Sequence, residues 1–542
     1  MKKLLSALLI CFWSEAQVNL TTSDLPIVVI NTNGFNVLDN PKIEADMTIF
    51  WNGVGKENSI QDSKPHYKGK IGIELRGSSS QIWPKKPYGI ELWNSSKGAV
   101  SASLFGMPKE SDWIFFASYN ERSLMHNVLA QKIAINMGLL GSRTQYCELI
   151  LNNVYQGVYV FMEKIKRSAG RVDISTMTDA DVDGDALTGG YIIKIDKTTG
   201  TQVDGWASRK RNLGVSVPTY YQYDYPSKIN TKQKNYIRNY IDSFESALAT
   251  GNFTSNDNNY SKYIDMPSFA KFLLVNEISR NVDGYRISTY LYKDKDSKGG
   301  KLTAGPAWDF DLTFGNADYC DGNKSTGWAY NFNYVCSNDY WTVPFWWEIM
   351  LKDPVFINVL AAEYKKLREG SLSDKNMNLQ IDSMQTQLSK AQVRNFTKWN
   401  RWGQYDWPIP SPIASSWEGE VTQLRTWLKN RLTWLDNNMP KSVAVADGRL
   451  LANENEDLVV TEVFPNPIIN QFFVKIRTPQ PEDIKLELFG VNGQKVGEVS
   501  TRTQAGENIV EVPASVVEDM NGITLLRISM KDKVITKKLV KF

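Results

Sequence analysis

The chain has 542 residues, 42% hydrophobic and 22% charged, with a formal net charge of +3. This length exceeds one compact core and points to roughly two to four domains, and the balanced charge gives nucleic acid no case as the main partner. Only two histidines are present, His66 and His126, which excludes a multi-histidine zinc site and leaves Mg²⁺, Mn²⁺ or Ca²⁺ as the ions an oxygen-ligated site would take.

Lys2-Lys3, the apolar run from Leu4 to Trp13 and the small residues Ser14 and Ala16 predict a secretory signal peptide over residues 1–16. That run is too short to span a bilayer, and no transmembrane segment is expected in the mature chain. A β-rich front lobe is predicted over residues 25–165. Ile27-Val28-Val29-Ile30 reads as a buried strand, while Ile71 to Gly77 and Tyr88 to Leu92 alternate with period two. Asp112 to Met137 reads as strand then helix, with Val128, Leu129 and Ile133 on one helical face. A hairpin turning at Asn152-Asn153 joins Cys147-Glu148-Leu149-Ile150-Leu151 to the run ending at Glu163.

Residues 166–440 read as a mainly helical rear lobe. Helices are predicted from Thr231 to Leu248, from Met266 to Ser279 with amphipathic spacing, and from Trp417 to Asn437. Asp179 to Asp185 has the look of a calcium loop, but position 12 counted from Asp179 is Gly190 rather than glutamate, so a plain acidic loop is the alternative. Cys320 and Cys336 bracket a short loop that an exported protein can close as a disulfide, and Cys147 reads as a buried thiol. The 17 tryptophans serve either core packing or a sugar-binding surface around Trp341, Trp346, Trp347, Trp399 and Trp402.

Two acidic segments carry the candidate chemistry. Asn276 to Ser288 contains Asp283 and runs into the strand-like Thr289-Tyr290-Leu291-Tyr292. Gly305-Pro306-Ala307-Trp308-Asp309-Phe310-Asp311 follows. Carboxylates beside apolar runs need a partner or a metal to offset desolvation, and a Mg–nucleotide site needs one carboxylate at the nucleophile and another on the metal. Each piece also has a plainer reading: Asp283-Gly284 as a turn, Asp309 and Asp311 as a cap or calcium ligands, Lys85-Lys86 as a solvated pair.

Taken in order, Arg76-Gly77-Ser78-Ser79-Ser80, Pro84-Lys85-Lys86-Pro87-Tyr88, Asn127-Val128-Leu129-Ala130, Gly157-Val158-Tyr159, Asn276-Glu277-Ile278 and Gly305 to Asp311 resemble the CotH family, which includes atypical protein kinases. The resemblance implies an α+β, two-lobed, protein-kinase-like domain. It implies Lys86, or neighbouring Lys85, and Arg76 near the phosphates of ATP, and Glu163 near the lobe hinge. It implies Asp283 as the catalytic-loop aspartate, and Asp309 with Asp311 on Mg²⁺ or Mn²⁺. Kinase catalytic loops place a metal-binding asparagine five residues after the aspartate; here that position is Ser288, a weaker ligand, and Asn281 is a possible substitute.

Residues 441–457 read as a polar linker and residues 458–542 as a small antiparallel β-sandwich, with alternating runs such as Ile484-Lys485-Leu486-Glu487-Leu488 and turn pairs at Asn492-Gly493 and Asn521-Gly522. Phe464-Pro465-Asn466-Pro467, Gly493-Gln494-Lys495-Val496 and the finish Lys537 to Phe542 resemble the type A sorting domain of the type IX secretion system. That implies the secretion machinery as partner and a secreted or surface location reached through the periplasm; an adhesion module is the plainer alternative. Three functions stay open: an ATP-dependent kinase acting on Ser or Thr of secreted or surface proteins, a kinase-like module without turnover, and a carbohydrate-binding surface protein.

Overall fold

The computed structural model describes residues 18–198, 203–253, 259–443 and, apart from short breaks, 459–541. The expected signal peptide lies outside the described residues, as do residues 444–457 of the expected linker and Pro465-Asn466-Pro467. The chain divides into two units, Met1–Val443 and Ala444–Phe542.

Seven strands of the first unit close into a barrel. In spatial order they are Ile27–Asn31, Ile43–Phe50, Tyr67–Leu75, Tyr88–Trp93, Asp112–Phe116, Val154–Glu163 and Thr144–Leu151. Every pairing is antiparallel except the seam, where Ile27 to Ile30 run parallel to Glu148 to Leu151. The period-two spacing explains the filling. Val28 and Ile30, Ala45 and Met47, Ile71 and Ile73, and Ile90 and Leu92 form one buried cluster with Cys147, as alternate residues of a small barrel must. The hairpin between the last two strands turns where expected, with Asn152 and Asn153 at φ of 50° and 63°, the backbone of a type I′ turn.

Outward-facing Ile114, Val158, Val160 and Met162 belong to a second, larger core with the helix His126–Asn136. A five-stranded antiparallel sheet follows, ordered Gly205–Ala207, Tyr220–Tyr225, Tyr191–Ile195, Thr289–Lys293 and Thr303–Ala304. A mainly helical rear region does not account for this sheet. Tyr191-Ile192-Ile193-Lys194-Ile195 is a short, nearly continuous apolar run, which carries no alternation to mark it as a strand. The helix Met266–Ser279 also differs from its amphipathic reading, because residues all around it are buried, Phe269, Leu273 and Val275 along with polar Asn276, Glu277 and Ser279. It is an interior helix, started by Asp265, whose carboxylate accepts the Ser268 N–H at 3.0 Å. Helices Thr231–Ala249 and Trp417–Asn438 stand where predicted.

The second unit packs a three-stranded and a four-stranded antiparallel sheet. Phe472, Val474, Ile476, Ile484, Leu486 and Leu488 fill its core, in agreement with the alternating runs of the sequence.

Candidate functional site

A cavity of about 440 Å³ opens between the barrel rim, the five-stranded sheet and two loops. The rim supplies Arg76 and the turn Gly77-Ser78-Ser79-Ser80; the sheet supplies Lys194, Gln222 and Tyr290; the loops supply Asp283, Ser288, Asp309 and Asp311.

The first loop leaves the interior helix through Arg280, at φ 45°. Asn281 then braces it: its amide donates to the Asn276 side chain at 3.2 Å and the Asp309 carbonyl at 3.3 Å, and its Oδ1 accepts the Asp283 N–H at 3.1 Å. Those bonds engage the Asn281 amide, and Asn281 does not line the cavity. Asp283 Oδ1 accepts Arg286 Nη2 at 2.8 Å and the Tyr319 hydroxyl at 3.5 Å. Arg286 is itself buried, lies over the Phe332 ring at 4.1 Å and reaches Asp339 at 3.4 Å. The loop ends at Ser288, whose hydroxyl donates to Asp309 Oδ2 at 3.0 Å and whose N–H donates to Asp196 Oδ1 at 3.4 Å.

The second loop is fixed from both sides. Ala307 N donates to the Leu140 carbonyl at 2.7 Å and its carbonyl accepts Gln131 at 3.2 Å. Past the aspartates, Thr313 Oγ1 donates to the Phe310 carbonyl at 2.6 Å and Asn316 to the Asp311 carbonyl at 2.9 Å. Asp309 is left-handed at φ 65°, as is Ser288 at 50°, a conformation that branched side chains disfavour and that concentrates at functional sites.

Burial, with the nearby Asp283 charge, raises the Asp309 carboxyl above the ordinary range, against the opposing pull of Ser288 and Arg76. Burial and then Asp309 hold Asp311 well above it. Like charges in a desolvated corner are relieved by a proton or by a cation, and a hydroxyl with two carboxylates is a donor set that a hard divalent ion can take. Among the described residues no three His, Cys, Asp or Glu side chains form a ready-made cage. A cation here would keep water or take phosphate oxygens as further ligands, which is how Mg²⁺ ordinarily binds. The residues present fit such an ion.

Arg76, Asp283, Ser288, Asp309 and Asp311 therefore meet in one cavity, while Lys85, Lys86 and Glu163 do not line it. Lys85 turns into the protein, where its ammonium donates to the Ser118 carbonyl at 3.2 Å, the Val158 carbonyl at 2.6 Å and Asn395 Oδ1 at 2.9 Å. Burial pulls it down to about 7. It ties the barrel to the helix Ala391–Lys398. Lys86 bonds the Gln81 carbonyl at 2.6 Å. Glu163 is held by Arg143 at 2.8 and 2.9 Å and lines a neighbouring pocket of about 210 Å³.

Asp196, Arg286 and Lys194 were missed from the sequence, although Asp283 and Arg286 stand at the i, i+3 spacing of an ion pair. Cys320 and Cys336 are bonded and Cys147 is buried and free. Trp346 and Trp347 are core residues, 0% and 1% exposed, which removes two of the five rings from any sugar platform. In the acidic loop, Asp181 accepts from Thr178 within a local turn, while Asp185 accepts from Ser297 and ties the loop to the distant turn Asp296–Lys298.

Residues 462–541 match the family model described as a secretion system C-terminal sorting domain. This match implies the type IX secretion machinery and marks the chain for export to the cell surface or for secretion. Among the described residues no helix is long and apolar enough to cross a membrane. The chain is 22% identical over 253 residues to the inner spore coat protein H of Bacillus subtilis (strain 168), covering 45% of this chain and 59% of that protein. Residues 73–435, including every site residue discussed above, match the model described as CotH kinase protein, and the chain belongs to that family.

Proposed function

We propose that this exported protein binds Mg-ATP or Mn-ATP in the cavity and transfers the terminal phosphoryl group to Ser or Thr of a secreted or surface protein. One observation carries the reading. A guanidinium lying 5.4 Å over Trp308 and the paired carboxylates of Asp309 and Asp311 line a single cavity, an arrangement matched to a phosphate chain carrying a divalent cation. Asp309 and Asp311 would hold the ion, with Ser288 beside them. Bound there, it would neutralise charge on the phosphates. Asp283, fixed by Arg286, would receive or orient the hydroxyl proton of the incoming Ser or Thr. The Arg76 donors would face the phosphate oxygens.

A second reading, a kinase-like module that binds nucleotide without turnover, draws support from Ser288 in the asparagine position and from the engaged Asn281 amide. Thermal shift of the purified chain with Mg-ATP and Mn-ATP tests binding, and the shift is expected to vanish in Asp309→Ala. No shift with either nucleotide sinks both readings. Phosphate incorporation that depends on Asp283 then separates turnover from binding.

A further inference from the structure

The geometry points to Lys194, rather than Lys85 or Lys86, as the amine that meets the phosphates; this rests on the nucleotide reading above. An ammonium can serve a phosphate chain as a point charge beside a guanidinium. The three donors of Lys85 already reach three oxygens inside the protein, and freeing them would leave buried carbonyls unmatched. The Lys86 ammonium is closed back on the Gln81 carbonyl.

Lys194 stands in the middle strand of the five-stranded sheet, in register with Gln222 on one side and Tyr290 on the other. All three residues line the cavity. Tyr290 meets Trp308 edge to face at 6.4 Å, and Trp308 carries Arg76, so Lys194 and Arg76 belong to one continuous wall. The Lys194 ammonium lies 3.9 Å from Asp196 and 3.7 Å from Asp224. Those distances hold it by charge but exceed a direct hydrogen bond, so its N–H groups remain available to a ligand. An amine positioned by carboxylates and fixed on a strand is pre-organised for an anion. Lys197 also lines the cavity, but it follows the strand rather than lying in it.

Titration calorimetry of the full chain with Mg-ATP, and with tripolyphosphate as a base-free probe, tests the assignment. Losing one charge-assisted contact is expected to weaken both ligands by ~10–100-fold in Lys194→Met. Lys194→Arg, which keeps the charge and the ion pairs, should recover most of that loss and so distinguish contact from folding. Lys86→Ala should bind as wild type. Wild-type binding in Lys194→Met, or a loss confined to Lys86→Ala or Lys197→Ala, overturns the assignment. A wild-type chain that binds neither ligand overturns the nucleotide reading itself, and the assignment with it.

Discussion

The hydroxyl of Ser288 donates to Asp309 Oδ2 at 3.0 Å, and both residues hold left-handed backbone, at φ 50° and 65°. Asparagine tolerates that backbone better than serine. Ser288→Asn should therefore fold at least as stably as wild type and offer an amide oxygen where the hydroxyl now sits. The expected result is tighter Mn²⁺ binding by ~3–10-fold, about 1 kcal/mol, read by calorimetry in the presence of nucleotide. Weaker Mn²⁺ binding would count against a metal at Asp309.

Arg286 does not line the cavity, so on the proposed reading it would act on the transfer only through Asp283, which it meets at 2.8 Å. Arg286→Met should lower kcat for phosphate transfer by ~10²-fold, the scale of a positioned general base. KM for the nucleotide should hardly move. A rise in KM with kcat intact would assign Arg286 to ligand binding.

The interior helix is pinned by a fully buried ion pair, Arg431 to Glu277 at 3.0 Å, with both side chains 0% exposed. Glu277 also accepts the Ala329 and Tyr330 N–H groups at 2.8 and 2.9 Å. Removing one partner strands the other charge, so Arg431→Met should cost ~3–5 kcal/mol of stability. Urea denaturation checks it. A loss below ~1 kcal/mol would mean that the pair is not desolvated in solution.

Glu420 has no ion pair among the described residues and lines a pocket of about 210 Å³ with His126. Burial and then the Glu121 charge push it up to about 7, against Arg122. The folded state thus holds a proton that the unfolded chain releases, and this group's share of stability falls as pH rises from the ordinary 4.5 to about 7. Glu420→Gln should match wild type at low pH and be more stable by ~2 kcal/mol above pH 8. Melting curves across that range decide it.

The Cys320–Cys336 bond closes a loop of sequence separation 16. Beyond it, Asp339 and the Trp341 carbonyl contact Arg286, each at 3.4 Å. Reduction should remove ~3 kcal/mol of stability by the loop-entropy argument. It should also lower turnover more than nucleotide affinity. Equal loss of both would show the effect to be global.

Local patterns carried much of this structure. Ile71 and Ile73, or Ile90 and Leu92, declare a strand by their own spacing, and Asn152-Asn153 declares its turn. Barrel closure is another matter, since it pairs Ile27 with Glu148, and no local window contains both. The sheet strand around Ile193 was hidden because burial on both faces erases alternation. At the site, Asp283 and the Asp309–Asp311 pair were visible because carboxylates beside apolar runs need a reason. Lys85 and Lys86 look alike in sequence, yet one amine is enclosed by oxygens of the distant Ser118, Val158 and Asn395, and the other closes on its own turn at Gln81. Asp196 and Lys194 were missed with the strand that presents them.

The seam of the barrel bears on where this protein can be cut. The family match begins at residue 73, but two of the seven strands, Ile27–Asn31 and Ile43–Phe50, precede it, and the cut falls inside a third, Tyr67–Leu75. A fragment trimmed to the matched region would lose adjacent staves and expose two unpaired sheet margins, one of them the strand of Glu148 to Leu151. Such margins recruit other chains. Insolubility of a trimmed fragment would then report a broken ring, not an unstable family domain, and fragments for biochemical work should start ahead of Leu20, which is buried with Ile27, Ile150 and Tyr155.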